Sequence, residues 1–257
     1  MRIVAIIQAR MNSTRFPGKI MAPLAGKRVI DHVVDRLLRA SSVDDSIIAT
    51  TSTASDDLVE RYCRERNIQC FRGSEDDVLD RFRGAAHAAR ADTIVRITAD
   101  CPLIDPEVID LAVSSFKGEA FDYVSNTLTP TFPDGLDTEV FSRVALERAH
   151  EAAKLRSERE HVTPYIWKHP ELFRLCNVKS DRDYSHFRWT VDEPSDLEHL
   201  QSLFESARRT PAMLMRDVIS ILDAHPDLAG LQRRPARNEG YATSLLADSK
   251  TNKEVMP

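Results

Sequence analysis

The feature that most constrains this chain is an alternation over its first ~116 residues. Short apolar runs rich in β-branched residues lie at 3–7, 46–51, 68–71 and 92–98. They lack polar alternation, as strands buried on both faces do. Between them, 29–38 and 78–90 carry apolar residues at helical spacing, and further helices are expected after Ser55 and from Pro106 to about 116. Ser55, Asp56 and Asp57 suit a helix start, where the dipole favours acids. Strand–helix alternation of this kind implies an α/β fold with a mostly parallel sheet and helices on both faces, a three-layer α/β/α sandwich. Ligands in such sheets bind beyond the carboxyl ends of the strands. The loops after residues 7 and 98 are therefore the places to look.

The second half is less regular. Strands are expected at 122–125, 138–141, 173–178 and 187–191, and helices at 142–154, 158–168, 194–206 and 212–223. From about His225 the chain turns polar and loses periodicity, so one domain over 1–225 and a polar tail over 226–257 are expected.

Composition narrows the function class. The net charge of −5 argues against a general nucleic-acid or membrane-surface binder. The charge is uneven: the first 28 residues hold six bases and no acid. Cys63, Cys70, Cys101 and Cys176 show neither paired spacing nor a zinc pattern, which suits a reduced cytoplasmic setting. The N-terminal apolar run is too short for a signal peptide, and no stretch approaches a membrane span.

Three segments could carry chemistry. QARMNSTRFPGK, residues 8–19, offers Arg10, Arg15 and Lys19, the hydroxyls of Ser13 and Thr14, and a Pro17–Gly18 turn. A polyphosphate needs fixed cations and backbone N–H groups in such a turn. The loop is not a Walker A motif, because Ser13 and Ile20 stand where Gly and Ser/Thr are required. TADCPLIDP places Asp100 just past a strand, where it could hold Mg²⁺ or brace a turn. Asp105 suits an N-cap. In FRWTVDEPSDLE, Asp192 again follows an apolar run, and Glu193 and Asp196 suit a helix start.

Together with PDGLDTEVF and REHVTPYI, these segments follow the order found in nucleotidyltransferases that activate acidic sugars with CTP. The chain resembles the SpsF-like (spore coat polysaccharide biosynthesis protein F) family over about residues 1–225. Its first loop is also similar to that of the 3-deoxy-manno-octulosonate cytidylyltransferases. The resemblance implies the nucleotide-diphospho-sugar transferase (GT-A-like) fold. It also implies a cytidylyltransferase that moves CMP from CTP to an acidic 2-keto-3-deoxy sugar, with pyrophosphate released, for surface polysaccharide or glycan synthesis. By the same resemblance Arg10, Arg15 and Lys19 act as catalytic cations on the triphosphate, with Gln8, Ala9 and Ser13 beside them. Asp100 also belongs to the nucleotide set, and Asp100 and Asp192 are the expected Mg²⁺ ligands. Ser74, Asp77 and Arg81 lie where relatives contact the nucleoside, although Asp77 also suits a helix cap. Asp134, Asp137, Glu139, Arg159 and His161 lie where the acceptor sugar is expected, and Gly135 suits a turn. The apolar stretch 162–167 suits either a homodimer contact or the core.

No Ser/His/Asp or Cys/His constellation is visible, which fits direct attack by a sugar hydroxyl on the α-phosphate. Two other readings stand beside this one. A glycosyltransferase of the same fold would use a nucleotide-sugar donor and commonly carries D-x-D, for which Asp181 and Asp183 are the nearest match. A non-catalytic nucleotide-binding protein is the third.

Overall fold

The structure is a computed structural model that describes residues 1–118, 120–208, 210, 212–230, 237 and 239–254, with backbone only for 229, 230 and 250–254. In chain order the elements are β1 (Ile3–Gln8), β2 (Pro23–Leu24), β3 (Lys27–Arg28), α1 (Val29–Leu37), β4 (Asp45–Thr51), α2 (Asp57–Arg66) and β5 (Gln69–Gly73). There follow α3 (Val78–Ala88), β6 (Thr93–Thr98), α4 (Pro106–Gly118), β7 (Tyr123–Ser125), β8 (Glu139–Ser142) and α5 (Arg143–Ala152). Then come α6 (Arg156–His161), α7 (Pro164–Lys168), β9 (Leu175–Asn177), α8 (Pro194–Ser206), α9 (Met215–Ala224), α10 (Pro226–Gly230) and α11 (Glu239–Glu254).

Among the described residues, seven strands form one sheet in the order β5-β4-β1-β6-β8-β7-β9. All pairings are parallel except those of β8, which runs against β6 and β7. Side chains alternate across the pleat. Ile3, Ala5 and Ile7 of β1 join one core with α1, α2, α4, α8 and α9, whereas Val4 and Ile6 join a second core with α3, α5 and α7. Both cores exclude solvent, so truncating Ile6 to Ala would cost about 2–5 kcal/mol. This is the three-layer α/β/α sandwich expected from the alternation.

Two features of this frame position the site. The chain leaves β1 toward β4 on one side and meets β6 on the other, so the strand order reverses between β1 and β6. Their ends are level, with Gln8 paired to Thr98. The reversed β8 pairs Glu139 with Arg96 of β6 and with Ser125 of β7. The segment entering β8 therefore opens at the same edge.

Three sequence expectations are corrected. Residues 158–168 are two helices rather than one. Val162 breaks them at φ 72°, ψ −58°, and Thr163 N–H donates to the carbonyl of His161 at 2.9 Å in a tight γ-turn. Residues 187–191 form no strand of the sheet; Arg188 makes an isolated bridge to Asp134, in the segment that enters β8. Residues 239–254 form α11 although the segment lacks an amphipathic pattern. In addition, Val162 and Ile166 lie in the second core, and Trp167 packs on Tyr241 at 5.6 Å between ring centroids. The stretch 162–167 thus supplies the core at Val162 and Ile166, with Tyr165 and Trp167 half-buried.

Candidate active site

The first loop takes its shape from a turn and a buried carboxylate. Gly18 sits at φ 76°, a conformation that favours glycine, and its N–H donates to the Met11 carbonyl at 2.8 Å. The Met11 N–H donates in turn to Asp56 Oδ1 at 2.8 Å. Asp56 is fully buried and also accepts from Thr50 Oγ1, Thr51 Oγ1 and Thr51 N–H. Burial alone would raise its pKa, but these donors hold the carboxyl below its usual range. The sequence reading assigned Asp56 only to a helix start; its spacing gives no sign that it anchors a loop 45 residues away.

The loop closes on Lys19, which is 8% exposed. Its ammonium lies 2.5 Å from Asp100 Oδ2 and 2.8 Å from Asp192 Oδ1. Burial opposes the charge, yet the two carboxylates together raise the Lys19 pKa above its ordinary value. Burial likewise works against the Asp192 carboxylate, but Lys19, Arg188 and Arg15 hold its pKa down at about 2. Arg15 reaches Asp192 at 3.0 Å and Glu239 of α11 at 2.8 Å. Arg10, half-buried on the same loop, makes no ion pair among the described residues.

Asp192 owes its place to Arg188. That guanidinium binds Asp192 at 2.5 Å and Asp134 at 2.6 Å. Asp196 accepts the N–H groups of Asp192 and Glu193, at 2.8 and 2.9 Å, and so starts α8. Asp105, at the start of α4, accepts from the Glu107 N–H at 2.8 Å, which fits its reading as a cap. Beside Asp134, Gly135 has φ 107°, and a Cβ there would lie 2.7 Å from the Trp189 carbonyl carbon. Only glycine permits that approach. Arg188 lies within the FRWTVDEPSDLE segment, but nothing in its spacing reveals that it links two carboxylates.

Two adjoining cavities open at this edge. One, of about 500 Å³, is lined by Asp134, Asp137, Glu139, His161, Arg188 and Tyr241 among others. The second, of about 560 Å³, lies between the first loop (Gln8, Arg10, Ser13, Thr14) and α11 (Thr243, Ser244). Lys19 borders the second, and Arg15, Asp100 and Asp192 border both. Each is within the usual size of a small-molecule site.

Several expected ligand contacts take other parts. Ala9 is buried and its N–H donates to the Ala49 carbonyl, so its side chain and amide face the sheet. Gln8 Oε1 accepts from Arg96 at 3.1 Å. Arg81 is completely enclosed, with its guanidinium on the carbonyl of Ser74, and braces the 74–77 turn from below. Burial pushes its pKa down to about 10. The Ser74 hydroxyl accepts from the Asp77 N–H at 3.0 Å, and Asp77 caps α3 by accepting from Asp80 N–H at 3.0 Å. Asp77 also pairs with Arg159 at 2.7 Å. Arg159 therefore lies in the groove with Arg10 and Asp77 rather than in the cavity of Asp134. Glu139 is buried against Arg96, the Tyr123 hydroxyl and the Thr163 hydroxyl, which makes it a structural anchor of the cavity wall. His161 lines the cavity but bonds to Ser244 Oγ at 3.0 Å, and burial lowers its pKa to about 4. Its imidazole is neutral at pH 7 and brings no positive charge to an acceptor. Asp181 and Asp183 are exposed in a turn, as a solvated pair would be.

The donor set can be tested for a metal. Among the described residues no cluster of three or more His, Cys, Asp or Glu could hold an ion. Asp100 and Asp192 nonetheless share one cation, the Lys19 ammonium. Two hard carboxylates bordering a cavity of about 560 Å³ lined by the cations of the first loop fit Mg²⁺, which takes one or two carboxylates and completes its shell with phosphate oxygens and water.

Residues 4–219 match the sequence model of the cytidylyltransferase family. The chain belongs to that family. It is 34% identical over 234 residues to the spore coat polysaccharide biosynthesis protein SpsF of Bacillus subtilis, covering 88% of this chain and 96% of that one. Over 118 residues it is 42% identical to a 3-deoxy-manno-octulosonate cytidylyltransferase of Trichlorobacter lovleyi, covering 46% of each chain. Its fold matches a cytidylyltransferase from Leptospira borgpetersenii with a TM-score of 0.85 and 32% identity, over 91% of this chain and 98% of the other. Among the described residues no helix is long and apolar enough to cross a membrane.

Proposed function

We propose that this cytidylyltransferase moves CMP from CTP to a hydroxyl of an acidic 2-keto-3-deoxy sugar in the cytoplasm, for surface polysaccharide or glycan synthesis. The single observation that carries the nucleotide half is the meeting of Arg15, Lys19, Asp100 and Asp192 beyond the level ends of β1 and β6. The acceptor class rests on the names of the relatives and on the guanidinium of Arg188, which could exchange Asp134 for a sugar carboxylate.

In this reading the acceptor oxygen attacks the α-phosphorus in line. The new O–P bond forms as the bond to the β-phosphate oxygen breaks, pyrophosphate leaves, and the hydroxyl proton passes to solvent. Arg10, Arg15 and Lys19 bind the triphosphate, and Lys19 and Arg15 neutralise charge that builds on the leaving pyrophosphate. Asp100 and Asp192 would hold Mg²⁺, which when bound supplies Lewis-acid neutralisation of the phosphates and acidifies a nearby hydroxyl. Lys19 would then pass from the carboxylates to the phosphates. Asp134, Asp137 and Arg188 orient the acceptor.

One observation favours a second acceptor class. Asp134 and Asp137 face the same cavity, and burial raises the pKa of Asp137 to about 6 despite its partner Arg237. Such a wall suits a neutral or amine-bearing sugar. The test is a pyrophosphate-release screen that crosses four nucleoside triphosphates with 2-keto-3-deoxy sugar acids, neutral sugars and amino sugars. Release with CTP and a sugar acid supports the proposal. Nucleoside diphosphate release from a nucleotide sugar would instead support a glycosyltransferase, and binding of CTP without turnover a non-catalytic protein.

A further inference from the structure

The C-terminal helix holds a cation of the first loop from the far end of the sequence. Glu239, at the first turn of α11, places Oε2 2.8 Å from Arg15. Two residues earlier, Arg237 binds Asp137 and the Phe132 carbonyl in the neighbouring cavity. Glu239 thus sets an anion on the loop cation, and Arg237 a cation on the half-buried Asp137 of the acceptor wall.

The way α11 is docked matters as much. None of its described side chains belongs to either hydrophobic core. It is held by the Ser244 hydroxyl on His161 and Glu160, by the Ser157 N–H on Asp248 at 3.3 Å, and by the Tyr241 ring against Trp167 and His161. Elements with polar docking and little apolar burial are those that open locally at low cost. Leu246 on the outer side is 66% exposed.

We propose that α11 is a strap displaced by the nucleotide: the Glu239 carboxylate occupies a phosphate position on Arg15, and a triphosphate entering the loop expels it. Departure of Glu239 pulls on Arg237 and uncovers Asp137, so nucleotide binding opens the acceptor cavity. Binding is thereby ordered, nucleotide first. The inference rests on the CTP reading given above.

The test uses the full chain and measures calorimetric affinity for CTP and for inorganic tripolyphosphate, with amide hydrogen exchange across 240–249. Glu239 is 44% exposed, so Glu239→Gln should leave the fold intact. The variant should bind tripolyphosphate about fivefold tighter, the scale of a lost exposed ion pair. CTP should speed exchange in α11 of the wild-type chain. Failure of either readout overturns the strap. A wild-type chain that binds neither probe would overturn the nucleotide reading itself, a result distinct from a chain that binds CTP with α11 still in place.

Discussion

The ammonium of Lys19 and the carboxylate of Asp192 lie 173 residues apart in the chain and 2.8 Å apart in space. The same ammonium reaches Asp100, so one cation joins the end of the first loop to segments that follow β6 and precede α8. In the proposed reaction this cation changes partners from carboxylate to phosphate.

Replacing Lys19 tests that exchange. Lys19→Ala should lower kcat/KM for pyrophosphate release by roughly 30- to 1000-fold, on the order of 2–4 kcal/mol of transition-state stabilisation. Steady-state kinetics with circular dichroism as a fold control measures it, and a change below about threefold would reject the role.

The carboxylates make a separate prediction. Asp100→Asn and Asp192→Asn should each remove most Mg²⁺-dependent pyrophosphate release while tripolyphosphate binding without metal is kept. Wild-type rates at saturating Mg²⁺ in either variant would sink the metal assignment.

Asp56 has its effect through the loop it anchors. Asp56→Ala leaves buried donors at Thr50, Thr51 and Met11 without an acceptor, each costing about 1–3 kcal/mol if unmatched. The variant should melt several degrees lower and raise KM for CTP more than it lowers kcat. An unchanged KM would mean that the loop keeps its shape without this anchor.

The histidine gives a pH signature. Burial lowers the His161 pKa from 6.5 to about 4. Between those values the unfolded chain takes up the proton first, so stability falls as pH drops through this window and is regained as pH rises. Denaturant unfolding at several pH values should reveal the slope, and His161→Gln should flatten it. An NMR titration midpoint near 6.5 would contradict the prediction.

At Gly135, an added Cβ would meet the backbone of Trp189 in a conformation that L side chains rarely adopt. Gly135→Ala should destabilise the chain by about 1–3 kcal/mol and impair the acceptor cavity before the nucleotide loop. Equal loss of CTP affinity and acceptor turnover would show that the two walls are not separable.

How much of this was legible depended on range. The parallel strands were readable because apolar runs such as 3–7 and 92–98 announce burial on both faces. The first loop, Asp100 and Asp192 were readable because they follow such runs. Asp56 and Arg188 were not, since their partners lie far away in sequence or belong to a loop with no periodicity. The break at Val162 was passed over because apolar residues continue through 158–168 at helical spacing, although Pro164, which opens α7, marks a helix start. The strap was hidden for the opposite reason: α11 has no apolar face to announce it, and its contacts are with the site.

The reversal of β8 has a consequence for how this architecture can vary. Six strands deliver their exits to the active edge, but β8 delivers its entrance there. Residues 126–138 therefore run along that edge from the end of β7 to the start of β8, pinned by Phe132 and Leu136 in the first core and by the Asp134–Arg188 bridge. Exchanges near Thr127 and Leu128, which line the first cavity outside those anchors, alter its wall without shifting the register of β1 on β6, on which the phosphate loop depends. Position 134 is the exception: Asp134 shares the Arg188 guanidinium with Asp192, and Asp192 holds Lys19, so a change there reaches the phosphate loop as well.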